Sequence, residues 1–291
     1  MKKKSLDMYQ ICIILIFGIL AVLTLYPFYN VLILSVSNTV SVANHSIYLF
    51  PYTVDFTGYQ TILQDHKFLS AFQVSLFVTI IGTAVNMFLS VTGAYVLSKR
   101  ELIGRKVFLT MILFTMLFNG GLVPTYMIVK QLNLINRIWA MILPTAINTY
   151  YLIIMKNYFL QLPAGLMEAA KLDGANEAQI LVKIAIPISK PFIATFALFY
   201  SVERWNEWYN ALLYINVEKF APLQIYLRDI LIGLNSQLSA QAQQMLHSSQ
   251  KVSTTVVQMA TIVITAVPII CVYPFLQRYF VNGIMVGGLK E

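Results

Sequence analysis

Six apolar runs limit what this chain can fold into. They lie near residues 11–35, 69–97, 107–129, 138–157, 191–209 and 252–276. A helix rises 1.5 Å per residue, so about 20 apolar residues cross the hydrocarbon of a bilayer. Inside lipid only a helix or a closed barrel satisfies its own backbone N–H and C=O groups. Runs of this length therefore predict an all-α integral membrane protein with six transmembrane helices. Composition points the same way, with 58% hydrophobic and 11% charged residues, against about 25% charged in soluble domains.

Six crossings leave both termini on one side, and the basic residues say which. Met1-Lys2-Lys3-Lys4 resembles the start of a signal peptide, but the run after it is too long and no Ala-x-Ala site follows. It reads as a tail before a first transmembrane helix. The tail, the second-to-third loop, the loop at 156–190 and the C-terminal tail carry thirteen Lys and Arg residues, and the opposite side carries seven. Positive charge collects on the cytoplasmic side, so both termini are expected there. The net charge of +8 is spread between apolar runs rather than clustered. It fits a membrane-lipid environment and no nucleic-acid partner. Cys12 and Cys271 stand far apart, each inside an apolar run, and are expected as buried, inert thiols.

The loops of the other side differ in size. Residues 37–67 include Phe50-Pro51-Tyr52-Thr53-Val54-Asp55-Phe56, an extended piece that Pro51 keeps from being helical. Residues 210–251 form a longer loop, read either as a helical hairpin or contact surface, or as disorder at a Gln- and Ser-rich tip. His45, His66 and His247 fall in such loops without ligand spacing, so no metal site is expected.

The cores of the runs show no Asp, Glu, Lys or Arg; Glu203 and Arg204 stand near the outer end of the fifth. Ion-coupled carriers keep ionisable groups in the membrane to hold the coupling ion, so energy is expected from another subunit. Gly283-Ile-Met-Val-Gly287-Gly288-Leu289-Lys290 imitates a phosphate loop, but Leu289 stands where that loop needs Lys. No nucleophile–base arrangement is visible, and the chain is not read as an enzyme. Asn86, Asn119, Asn148, Trp205, Asn206 and Tyr209 are polar or aromatic residues in or beside the spans. They offer a sugar the stacking faces and amide groups it needs, or they serve as interfacial anchors and helix-packing groups.

Between the fourth and fifth runs lies the longest charge-bearing segment of the chain's middle. Pro163 suits the first turn of a helix, and Gly174 supplies a stop because glycine takes the left-handed conformation cheaply. Leu166, Met167 and Ala170 form a small apolar face, while Glu168 suits the helix dipole. A second helical piece, 176–184, is expected to end before Pro187. Two short helices at a corner outside the membrane make a knob that another protein can grip.

Glu168-Ala169-Ala170, three residues, Gly174, nine residues, then Ile184-Ala185-Ile186-Pro187 is similar to the loop of permease subunits of bacterial ABC importers, with Ile186 where leucine is usual. Leu25-Tyr26-Pro27-Phe28-Tyr29, Gly93-Ala94-Tyr95-Val96-Leu97-Ser98, residues 120–126, Trp205-Asn206 and Phe280-Val281-Asn282-Gly283 extend the resemblance, in order, over most of the chain. The branch it resembles is the MalG-like one, of polysaccharide or oligosaccharide type. The resemblance implies the type I ABC importer permease fold. It divides the chain into an N-terminal tail, first helix and outward loop at 1–68, a five-helix core at 69–281 with a coupling helix at about 164–174, and a cytoplasmic tail at 282–291. It also implies a second homologous permease, two ATP-binding subunits in the cytoplasm that hold ATP and Mg, and an extracellular sugar-binding lipoprotein. Coupling to the ATPase passes to Glu168, Ala169, Ala170, Asp173, Gly174, Ile184 and Pro187. A stand-alone carrier or channel, or a membrane scaffold, is the competing reading.

Overall fold

The computed structural model describes residues 8–38, 42, 50, 53–241 and 254–288. Lys2, Lys3, Lys4, His45, Pro51, Tyr52, His247, Lys251, Leu289 and Lys290, on which parts of the sequence reading rest, lie outside them, as does most of the Gln- and Ser-rich tip. Among the described residues the regular structure is helical, with one isolated antiparallel bridge, Ser37 to Val54.

The helices are α1 (Met8–Ser35), α2 (Thr57–Gln64), α3 (His66–Ser98), α4 (Arg105–Leu117), α5 (Leu122–Gln131), α6 (Trp139–Ile142), α7 (Thr149–Leu160), α8 (Ala164–Leu172), α9 (Glu177–Ile180), α10 (Ile186–Ile188), α11 (Lys190–Trp205), α12 (Tyr209–Tyr214), α13 (Leu223–Gln241) and α14 (Thr254–Gly288). Among the described residues, Met8–Ser35, His66–Ser98 and Thr254–Val272 are single helices long and apolar enough to cross a membrane. Two more crossings count only if bent pairs are taken as one span: α4 with α5, bent by 117°, and Glu177–Ile188 with α11, bent by 88°.

Where the expected runs break, the sequence supplies the reason. Between α4 and α5, Gly121 takes φ +91° and the Asn119 side chain accepts its N–H at 2.9 Å. The fourth expected run, 138–157, is not one helix. A 3₁₀ turn, Leu143–Thr145, follows α6 and contains Pro144, which has no N–H to offer the ladder. Asn148 then starts α7 afresh, its side chain accepting the N–H groups of Tyr150 and Tyr151 at 3.1 and 3.3 Å. The loop at 210–251 is largely helical in its described part, as α12 and α13.

Two compact units form. The first takes Met1–Phe68 and Leu227–Val267. In it α1 is apolar and exposed except at Ile33, Leu34 and Ser35. Ser35 and Tyr59 share a hydrogen bond of 2.7 Å, and Gly58 lets α2 approach Val256 so closely that a Cβ would lie 2.9 Å from its methyl group. The second unit takes Leu69–Tyr226 and Pro268–Glu291. Its main core joins Val91, Ala94, Tyr95 and Leu97 of α3, Leu152, Met155 and Phe159 of α7, Ala170 of α8, Ile180, Leu181 and Ala185 of the following segment, and Phe196 of α11. Both cysteines are exposed on their helices rather than buried in protein.

Candidate coupling site and polar cluster

The segment from Pro163 to Ser189 is built from local signals. Pro163 (φ −57°, ψ 115°) sits just before α8 rather than inside its first turn. At the other end Asp173 caps the helix and Gly174 turns left-handed at φ +84°. The Gly174 N–H then reaches the Lys171 carbonyl at 3.0 Å, and the Ala175 N–H reaches that of Ala170 at 2.9 Å. These paired bonds satisfy carbonyls that a helix end leaves open. Asn176 starts the next helix through a reciprocal box, its Oδ1 accepting from Gln179 N–H at 2.8 Å and its own N–H reaching Gln179 Oε1 at 3.0 Å.

The second piece does not stop before Pro187. It runs through α9, a wide π turn at Leu181–Ala185 and α10, which contains Pro187. A proline ring in a regular α-helix clashes with the carbonyl four residues back, and the N–H it lacks is missed. A wide turn ahead of it changes that spacing. At Ser189 the chain turns by 88° into α11, with Pro191 in the first turn.

The coupling residues expected from sequence therefore occupy one elbow with two faces. Ala170 is buried, and Met167 and Ile184 are half-buried against the same core. Glu168, Ala169, Asp173, Gly174 and Pro187 are exposed. Leu166 belongs to the outer surface, and Leu172 is 89% exposed. The knob thus presents apolar and acidic groups outward while its base is anchored.

Sequence reasoning passed over Glu177, the first residue of α9. Its carboxylate accepts the Tyr95 hydroxyl at 2.7 Å and the ammonium groups of Lys99 and Lys171, each at 2.9 Å. Lys99 also lies over the Tyr95 ring, 4.3 Å from its centre. Partial burial alone would raise the Glu177 pKa. The hydrogen bonds from Lys171, Lys99 and Tyr95 outweigh that and hold it at about 2. The same contact pushes the Lys171 ammonium above its ordinary value. The i, i+4 spacing of Tyr95 and Lys99 was readable; their shared partner 82 residues from Tyr95 was not.

A second cluster gathers around Arg204, the charge the sequence places near the end of the fifth run. Arg204, near the end of α11, is 4% exposed. Its guanidinium donates to Asn86 Oδ1 from Nε and Nη2 (3.2 and 3.0 Å), to Thr145 Oγ1 (2.9 Å), and to the carbonyls of Met141, Ile142 and Thr145 (2.5, 3.2 and 2.7 Å). Glu207 lies 3.7 Å away. Those carbonyls belong to the broken fourth run, so arginine repairs what Pro144 disrupts. Gly82 makes room, since a Cβ there would lie 2.9 Å from the Arg204 side chain.

The other expected path residues do not converge on one cavity. Asn86 is buried in this arginine cluster, and Trp205 is buried edge-on to Phe72. Asn206 caps α11 and donates to the Val202 carbonyl at 3.0 Å. Tyr209 is exposed beside Trp208, and Asn119 makes its local turn between α4 and α5. A different exposed patch combines a carboxylate with rings. The Tyr151 hydroxyl donates to Glu203 Oε1 at 2.7 Å, with Tyr150, Phe199 and Tyr200 packed around Tyr151. Tyr150 and Glu203 are exposed.

Comparison with known proteins bears on this arrangement. A family model described as the binding-protein-dependent transport system inner membrane component matches residues 69–286. The chain is 42% identical over 287 residues to Protein LplC of Bacillus subtilis (strain 168), covering 99% of this chain and 96% of that one. It is 41% identical over 290 residues to the polygalacturonan/rhamnogalacturonan transport system permease protein YtcP of the same organism, covering 100% of both. Among solved structures it matches a chain of a bacterial ABC transporter involved in the import of the acidic polysaccharide alginate. The TM-score there is 0.87 at 34% identity, over 96% of this chain and 99% of that one.

Proposed function

Because the chain belongs to the family of binding-protein-dependent transport system inner membrane components, we propose that it forms half of the translocation path of an ATP-driven oligosaccharide importer. In this reading six spans, the fourth and others broken, cross the membrane with both termini in the cytoplasm. The other half of the path comes from a homologous permease. Two ATP-binding subunits hold ATP and Mg, and an extracellular sugar-binding lipoprotein delivers the substrate.

One observation carries the reading: the elbow at 164–188 exposes a knob while its base enters the core shared by α3, α7 and α11. A partner that grips Leu166, Glu168, Ala169 and Leu172 and changes shape on binding ATP moves those helices with it. That is a rigid-body route to alternating access. Glu168 pairs with a basic group of the partner in this scheme, and Ala169 admits a close backbone approach. The Tyr150–Tyr151–Glu203 patch supports a carbohydrate substrate, since rings stack on sugar faces and a carboxylate accepts hydroxyl protons.

The experiment isolates the tagged chain from membranes in detergent and then replaces Gly174 with valine. A nucleotide-binding subunit is expected to co-purify with the natural chain. Space is open around Gly174, but its φ of +84° strains any other residue, by about 1–2 kcal/mol. The variant is therefore expected to insert normally and lose most uptake. Solute accumulation by the chain alone in liposomes without nucleotide overturns the proposal.

A further inference from the structure

The elbow has an apolar anchor and a hinge, and the hinge is closed by the two short-range backbone bonds of the glycine turn. From α8 only Ala170 is buried in the core, with Met167 half-buried beside it. Gly174 joins α8 to α9 in a left-handed turn with no atom within 4 Å of where a Cβ would stand. Apolar contact resists separation but has no preferred direction. A short helix held by so few groups can swing about a glycine without exposing much surface. Directional bonds are what oppose such a swing.

The Glu177 carboxylate adds side-chain bonds of this kind and extends them to α3. One oxygen takes Lys171 from the last turn of α8; the other takes Tyr95 from the last turn of α3 and Lys99 just after it. Both sides of the glycine turn and the end of a membrane-spanning helix thus meet on one charged group. The bonds are charge-assisted, the stronger class. The low pKa of the group keeps it ionised throughout the physiological range.

We propose that Glu177 is the positioning residue that makes α8, α9 and the cytoplasmic end of α3 move as one body, so that force on the knob reaches the span. The inference rests on the reading of the knob as an ATPase contact. Glu177 stands on α9 and is half exposed, and Lys171 is an exposed residue of α8, so the test reads docking and transmission separately.

The test uses the whole complex isolated with its nucleotide-binding subunits. Hydrogen exchange is followed with and without ATP plus Mg, at residues 164–188 and at residues 91–99. In the natural protein nucleotide is expected to change exchange in both segments. In Glu177→Gln the response at 164–188 persists, and the response at 91–99 drops at least about fivefold, the lower end of common coupling factors. Lys99→Gln leaves the Glu177–Lys171 pair within the elbow and removes one arm to α3. It is expected to lower the response at 91–99 in the same direction, and Glu177→Asp to restore part of it. An undiminished response at 91–99 in both Glu177→Gln and Lys99→Gln overturns the latch while leaving the docking reading intact. Absence of any nucleotide-binding subunit from the natural preparation overturns the docking reading and the latch with it.

Discussion

Arg204 and Glu177 carry charges of opposite sign, and their surroundings give them different duties. Around Arg204 stand three backbone carbonyls of the broken fourth run and the side-chain oxygen of Asn86. Replacing it with methionine takes the donor from the buried Met141 and Ile142 carbonyls and from Asn86 Oδ1, while the Thr145 carbonyl keeps the Asn86 amide at 3.3 Å. The expected destabilisation is about 3–5 kcal/mol, the range for breaking a buried charge cluster. Arg204→Lys restores only part of it, because an ammonium lacks the planar fork that reaches several acceptors at once. Thermal unfolding in detergent measures both, and a methionine variant as stable as the natural protein removes the structural role assigned here. Neither residue's duty was legible from sequence. Arg204 finds Asn86 across 118 positions, and no local rule predicts such a meeting.

For the elbow, local rules went much further. The glycine stop after α8 and a second helical piece from 176 follow from neighbours within a few residues. The Asn176–Gln179 box that starts that piece is equally local, but it is the structure that shows it. The helix running on through Pro187 did not follow from those rules, because a π turn absorbs the proline. The elbow also makes a pH prediction. Its carboxylate has a pKa of about 2 against an ordinary 4.5. A depressed pKa stabilises the fold above the ordinary value, and that contribution is lost as pH falls toward the folded one. The Glu177 tie is therefore expected to be complete above pH 4.5 and to weaken between 4.5 and about 2. A carboxyl-labelled NMR titration measures this, and a Glu177 midpoint near 4.5 contradicts the network. Because the group is half exposed, high salt is expected to weaken the tie as well.

At the scale of the whole molecule the direction of the spans makes a labelling prediction. With Cys12 and Cys271 replaced by serine, Lys219→Cys is expected to react with a membrane-impermeant thiol reagent added to intact cells. Gly165→Cys is expected to react only after the membrane is permeabilised. The reverse pattern inverts the topology and removes the elbow from contact with ATP-binding subunits. Both native cysteines are exposed on apolar helices, so unless replaced they label in detergent and blur the result. The first unit follows the same logic of faces. Nearly all of α1 is apolar and exposed in the isolated chain, a surface that only lipid or another membrane helix can cover.

The order of residues determined by itself that this chain is a helical membrane protein, and where its elbow bends. Long apolar runs and a left-handed glycine act through the solvent or through near neighbours, and need no fold to be read. Tertiary structure alone decided where the spans' charge sits and what ties the elbow to them. Ionic and hydrogen-bonded groups act over a few ångströms, and only the packed chain brings Glu177 to Lys99, or Arg204 to the carbonyls of a broken helix, within that reach.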